Sequence, residues 1–273
     1  MTKPAYSAAL AVSALALALP AAGQISLTPG NLTYTQDFDL LTRSATAEAW
    51  TDNSATVSLN DPPQLAGLAG WYGLGTTASQ IRASNGGNNT GSFYSYGATG
   101  NADRALGTLP SDTTGSLRLG VRFVNNTGSI LDGFNFSYDG EQWRESSAVS
   151  VNNQYVVAYA IFSPDTGSLG AVGVFNSIAA AQFDTPKDGT GVVASLDGNL
   201  PANRMAGLGD TLTGLAIAPG DELWLRWFDS NSSGADHGLA IDNFSIAFAV
   251  PEPTSAMLLG LGLVLLVNRT RRN

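Results

Sequence analysis

Between Gln24 and Ala249, hydrophobic and polar residues alternate in short runs. Leu32, Tyr34, Phe38 and Leu40 are interleaved with Thr33, Thr35, Asp37 and Asp39. Leu117, Leu119, Val121 and Phe123 alternate with Arg118, Gly120 and Arg122. Further on, Phe134, Phe136 and Tyr138 alternate with Asn135 and Ser137. A period of two is that of a strand, whose successive side chains point to opposite faces. The segment Asn125-Asn126-Thr127-Gly128 lies between the last two runs, and its turn chemistry predicts a hairpin. The same pattern predicts strands at 154–163, 170–175, 192–196, 212–218, 222–228 and 239–248. The body carries no long helical stripe and no fixed-period repeat. It is therefore predicted to be all-β: one jelly-roll-like two-sheet β-sandwich over residues 24–249. The Asn/Gly-rich stretch 84–91 reads as an exposed loop.

The two ends break this pattern. Lys3, an apolar run from Ala8 to Leu19, and small residues Ala21 and Gly23 before Gln24 predict a signal-peptide helix over residues 1–23. The first partner is then the secretion translocon. At the other end, Val250-Pro251-Glu252-Pro253-Thr254 precedes twelve mostly apolar residues, Ala256 to Val267. Pro251 and Pro253 exclude regular helix or sheet, leaving an accessible extended segment. A bilayer core takes about 20 helical residues, so the apolar run predicts a short transmembrane helix. Arg269, Arg271 and Arg272 follow it and place the body outside the inner membrane by the positive-inside rule.

Composition narrows the chemistry. Hydrophobic residues make up 44% of the chain, enough for a sizeable core. The absence of cysteine excludes disulfides, thiolate nucleophiles and cysteine-ligated zinc. Residues 24–250 hold nine basic and 21 acidic side chains, a balance of −12 that repels phosphate backbones and argues against nucleic-acid partners.

The Pro-Glu-Pro motif, the Gly/Leu-rich span and the arginine cluster of residues 250–273 together resemble the PEP-CTERM sorting signal. The resemblance implies recognition by an exosortase-type processing enzyme in a Gram-negative bacterium, a transient membrane anchor, and delivery to the cell surface or the extracellular polysaccharide matrix. The body is similar to a domain of secreted bacterial proteins. That likeness is carried by Gly70-Trp71-Tyr72, Tyr94-Ser95-Tyr96-Gly97, Asp103-Arg104-Ala105-Leu106-Gly107, Gly140-Glu141-Gln142-Trp143-Arg144, Leu196-Asp197-Gly198-Asn199 and Leu239-Ala240-Ile241-Asp242-Asn243-Phe244. It implies a jelly-roll-like fold and assigns no catalytic residue.

Several side chains are candidates for binding. Asp229, Asn231 and Ser233 stand at positions 1, 3 and 5 of a calcium-loop rhythm, with Gly234 at position 6. Ala240 occupies the place of the closing glutamate, so Asp236 or Asp242 would replace it; the other reading is a polar loop. In an unbroken strand Asp242 would face the core, which requires a bulge, a metal, or a cation such as Arg226, Arg204 or Arg144. Trp71, Tyr72, Tyr94 and Tyr96 border the Gly/Asn-rich region and could form a sugar-stacking platform or pack beneath loops. His237 is the one histidine, and no Gly-x-Ser-x-Gly elbow supports a serine triad through it. Three functions follow: a non-catalytic surface or matrix protein that binds exopolysaccharide, a calcium-supported carbohydrate-binding module, or an extracellular hydrolase.

Overall fold

The computed structural model describes residues 23–46, 48–49, 57–58, 68–76, 80–146, 153–188, 192–232 and 236–251. The predicted signal helix, the membrane-spanning run and the arginine tail lie outside the described residues. Among those described, no helix is long and apolar enough to cross a membrane.

Among the described residues, seventeen strands follow in order: β1 Ile25–Leu27, β2 Thr33–Gln36, β3 Glu48–Ala49, β4 Val57–Ser58, β5 Trp71–Leu74, β6 Gln80–Ser84, β7 Ser92–Tyr96, β8 Ala105–Leu109 and β9 Leu117–Asn125. They continue with β10 Leu131–Glu145, β11 Gln154–Phe162, β12 Asn176–Ser177, β13 Phe183–Asp184, β14 Ala194–Ser195, β15 Arg204–Ile217, β16 Glu222–Asp229 and β17 Gly238–Ala249. The first sheet runs β12-β11-β16-β9-β5-β4, with β1 paired to β9 and β13 to β11. The second runs β14-β10-β17-β8-β7-β6-β3, with β15 paired to β10 and β2 to β17. The protein is thus a two-sheet β-sandwich. From β9 onward the long strands alternate between the sheets, the winding expected of a jelly-roll-like fold.

The predicted hairpin is corrected. β9 and β10 are both strands, but β9 pairs with β16 and β5, whereas β10 pairs with β17 and β15. The intervening turn carries the chain from one sheet to the other. Asn125 fixes it: its amide donates to the Ser129 and Ile217 carbonyls at 2.8 and 2.9 Å, while its Oδ1 accepts from the Thr127 hydroxyl at 2.7 Å. Local turn chemistry reverses the chain direction without choosing the sheet that receives it. The predicted strand at 170–175 is loop, and that at 192–196 shrinks to β14.

Alternation fills the space between the sheets. Leu119, Val121, Phe123, Leu225 and Trp227 from the first sheet meet Phe134, Tyr138, Ile241 and Phe244 from the second. At the centre, Trp71 stacks on Trp227 at 5.8 Å and meets Phe38 and Phe244 edge-on at 4.9 and 5.4 Å. Two smaller apolar clusters lie on the outer faces. Tyr94, Tyr96, Ala105, Leu109, Trp143 and Ala240 cover part of the second sheet, and Tyr72, Leu169 and Trp224 cover part of the first.

Candidate functional site

Asp242 lies on the outer face of the second sheet, turned there by a β-bulge. The β10–β17 register shifts between Ser137↔Ser245 and Asp139↔Asp242, and Asn243 within the bulge has φ 48°. Leu239 and Ile241 therefore face the core before the bulge, and Phe244, Ile246 and Phe248 face it after. The bulge resolves the conflict posed by the sequence pattern. None of Arg144, Arg204 and Arg226 pairs with Asp242; Arg204 pairs instead with Asp139 at 3.7 Å.

Beside Asp242 on the same face stands Glu141, fully buried, whose Oε2 accepts the Trp143 indole N–H at 2.8 Å. Glu141 Oε1 and Asp242 Oδ1 are both buried without a hydrogen-bond partner among the described residues. Burial pushes the Glu141 carboxyl up to about 7. Burial and then the Glu141 charge raise Asp242 to about 8. At neutral pH the pair shares its charge poorly and holds on to protons.

Next to it runs a ladder of rings: Tyr94 on Tyr96 at 5.0 Å, and Tyr96 on Trp143 at 5.9 Å with planes 4° apart. This is the sequence-predicted platform, but it is interior. Loop residues close over it. The Arg144 guanidinium donates to the Gly86 carbonyl at 3.1 Å, and a Cβ at Gly86 (φ +87°) or Gly198 would overlap Trp143. Trp71 lies between the sheets, and Tyr72 packs against Trp224 with its hydroxyl donating to the Gly23 carbonyl. All four rings are at most 7% exposed, so they stabilise the fold and present no stacking surface to a sugar. The Gly/Asn-rich loop that suggested exposure is tied down at this cluster, where the Thr90 carbonyl accepts from the Tyr94 hydroxyl at 2.6 Å and Gly86 lies against the Trp143 backbone.

The calcium-loop residues separate. Asp229 ends β16 pointing between the sheets, where its Oδ2 accepts from Thr108 Oγ1 at 2.5 Å, and burial raises its carboxyl well above the usual range. Asn231 donates to Asp112 at 3.2 Å, and Asp236 accepts the Ser232 N–H at 2.9 Å. Asn231 Oδ1 and Asp236 Oδ2 are buried without partners among the described residues, while Ser233 lies outside them. Asp242 belongs to the Glu141 pair and does not close this loop. Among the described residues, no three histidine or carboxylate side chains are placed to hold a metal ion. His237 is buried with both ring nitrogens engaged: Nδ1 accepts the Ser146 backbone N–H at 3.1 Å, and Nε2 faces Asp188 at 3.3 Å. Neither nitrogen is offered to a serine hydroxyl.

The open surface lies elsewhere on the second sheet, on the outer sides of β15, β10, β17 and β2. Register places Thr211, Asn135, Ala247 and Thr33 in one row across these strands. Gly209, Ser137, Ser245 and Thr35 form the next. Strands about 4.8 Å apart with same-face residues about 6.7 Å apart make this a flat lattice of hydroxyl and amide groups. Neither row contains a charged side chain. The Ser137 and Ser245 hydroxyls hydrogen-bond at 3.0 Å. Two shallow depressions meet at Ser245, one of about 410 Å³ bordered by Asn135, Gly209 and Thr211, the other of about 260 Å³ bordered by Thr35, Asp37 and Asn243. Sequence reasoning did not select these residues. Each is simply the polar partner in its alternating run, and only the register brings them together.

Residues 249–272 match the PEP-CTERM protein-sorting motif, which makes the chain an exported protein processed at the membrane. No curated protein matches the chain. Among solved structures, TmCBM61 in complex with β-1,4-galactotriose is 10% identical with a TM-score of 0.29, the match covering 64% of this chain and 86% of that one. The K2 cleaved adhesin domain of Lys-gingipain is 12% identical with a TM-score of 0.34, covering 79% and 97%. The K3 cleaved adhesin domain of Lys-gingipain from Porphyromonas gingivalis w83 is 12% identical with a TM-score of 0.34, covering 66% and 92%.

Proposed function

We propose that this PEP-CTERM-bearing sandwich is a non-catalytic protein of the cell surface or extracellular matrix that binds uncharged exopolysaccharide through the hydroxyl lattice of its second sheet. The observation carrying the reading is that two-row face of Thr, Asn and Ser on an exported body. A sugar presents hydroxyls that both donate and accept, and the lattice answers with groups that do the same. Each such hydrogen bond contributes only about 0.5–1.5 kcal/mol net, so affinity accumulates over several residues of a long polymer. A non-catalytic role is supported by the engaged His237 nitrogens and by the enclosure of the Glu141–Asp242 pair.

The test is binding of the full chain, in mild detergent, to a panel of neutral glucans and galactans. Asn135→Arg combined with Ser245→Arg places two bulky cations on the lattice. Binding should fall at least tenfold while stability moves by no more than about 1 kcal/mol, the scale of surface changes. A panel with no binder, or a double variant that binds like wild type, rejects the reading. The tail makes a separate prediction. Replacing Pro251, Glu252 and Pro253 together by alanine should leave most of the protein as an uncut precursor in the membrane fraction, visible by immunoblot. Normal release of the variant would remove the tail's assigned role.

A further inference from the structure

The outer face of the first sheet carries an arrangement that the lattice reading does not use. Arg118 on β9 lies opposite Phe228 on β16, and Arg226 lies two residues along the same face of β16. In a body with a balance of −12, carboxylates are plentiful, and two of the eight described arginines, Arg204 and Arg122, pair with one. Arg122, the next arginine on this face, does so, meeting Glu222 at 2.6 Å and Asp165 at 3.3 Å. Arg118 and Arg226 make no ion pair with any described residue. Each stacks on a ring instead: the Arg118 guanidinium carbon is 4.7 Å from the centre of Phe228, and that of Arg226 is 3.8 Å from Phe175. Both Nε–H groups are buried without an acceptor among the described residues. Arg226 uses Nη1 to hold the Ala171 carbonyl at 3.3 Å, and Arg118 has no hydrogen bond within the described protein. Burial, and for Arg226 the neighbouring Arg118, disfavour the charged forms. Two adjacent, half-buried cations with no counter-charge among the described residues leave the face short of one anion.

We infer that Arg118 and Arg226 form a second binding site, for a carboxylate carried on a sugar, that is, for an acidic, uronate-type extracellular polysaccharide. The guanidinium fork matches the two oxygens of a carboxylate. The surroundings match the rest of such a ligand: Leu74, Val156 and the edges of Phe175 and Phe228 offer apolar contact to the C–H face of a sugar ring, which a bare phosphate does not have. This site lies on the opposite sheet from the hydroxyl lattice and stands independently of it.

The test titrates the full chain in mild detergent with trigalacturonate, a neutral galactan oligomer and inorganic phosphate. Trigalacturonate should bind and raise the melting temperature. Arg118→Gln should weaken it at least tenfold, and salt should weaken it in wild type but little in the variant. Arg43→Gln changes net charge equally at a distant exposed position and should leave the affinity unaltered. Without ligand, Arg118→Gln should melt no lower than wild type, because it removes a half-buried cation that makes no ion pair with any described residue. Arg226→Lys, which keeps the charge but not the fork, should lose affinity while remaining folded. The inference is overturned if Arg118→Gln binds trigalacturonate as wild type does, or if phosphate competes equally well at the same arginines. Neutral-galactan binding sensitive to Asn135→Arg reports on the other face alone, so failure of one site is distinguishable from failure of the other.

Discussion

Raising the pH from about 4 to 8 should destabilise the body, with a loss on the order of 8 kcal/mol from the Glu141–Asp242 pair at 1.36 kcal/mol per pKa unit. Unfolded, these carboxyls titrate near 4.5 and 3.8; folded, burial holds them at about 7 and 8. Between those limits the native state binds more protons than the unfolded chain, so the slope of stability against pH is negative. The contribution is complete below the unfolded values, is lost as pH climbs through the folded ones, and is then exhausted. Asp236, raised to about 6 mainly by burial, adds in the same direction. General repulsion in an acidic body does so as well, and the double variant Glu141→Gln/Asp242→Asn separates the two. It should remove the pair's share of the slope in urea midpoints, leaving that of the buried Asp229 and Asp236, and exceed wild-type stability at pH 8. A wild-type midpoint that is level or rising between pH 4.5 and 8 would show that the pair is solvated or neutralised.

Trp71→Ala should cost about 4 kcal/mol, in the range for removing a large buried aromatic. The indole stacks on Trp227, meets Phe38 and Phe244 edge-on, and donates from Nε1 to the Tyr34 hydroxyl at 3.0 Å. Truncation removes all of these at once and leaves the Tyr34 oxygen only the Gln36 amide donor at 3.3 Å. The same substitution decides between the two sequence readings of this residue. A sugar-stacking tryptophan would lose ligand affinity with an unchanged midpoint. A core tryptophan loses stability, and binding falls only as folded protein does. Denaturant unfolding with a parallel binding assay reads both.

The strands were legible because period-two alternation is a direct record of which side chains meet the core. Leu117 to Phe123 and Phe134 to Tyr138 sit as their pattern requires. Sheet membership was not legible, since Asn125 to Gly128 encode a reversal that serves a hairpin and a crossover between sheets equally. Asp242 was half legible. The pattern exposed its conflict with a core face and named a bulge among the solutions, but a bulge is chosen by the register of the paired strand. The Tyr94 and Tyr96 rings stayed open between a platform and packing beneath loops, because a polar loop in sequence says nothing about what it folds over. The hydroxyl lattice could not be read at all: Thr33, Asn135, Thr211 and Ser245 come from four distant segments and become neighbours only through pairing.

β17 is the last strand of the body, and its place in the second sheet ties folding to export. It lies between β10 and β8 and also receives β2, so the sheet has no continuous centre until Gly238 to Ala249 arrive. Pairings of such long sequence separation form slowly, because the intervening chain must be ordered before they reward it. A chain made from its N-terminus therefore cannot complete its sandwich from the strands that precede β17. Its closing strand emerges immediately ahead of the sorting motif, which begins at residue 249. The strand that completes the second sheet is thus joined directly to the sorting motif, so the sheet closes only once the segment bordering the tail is in place.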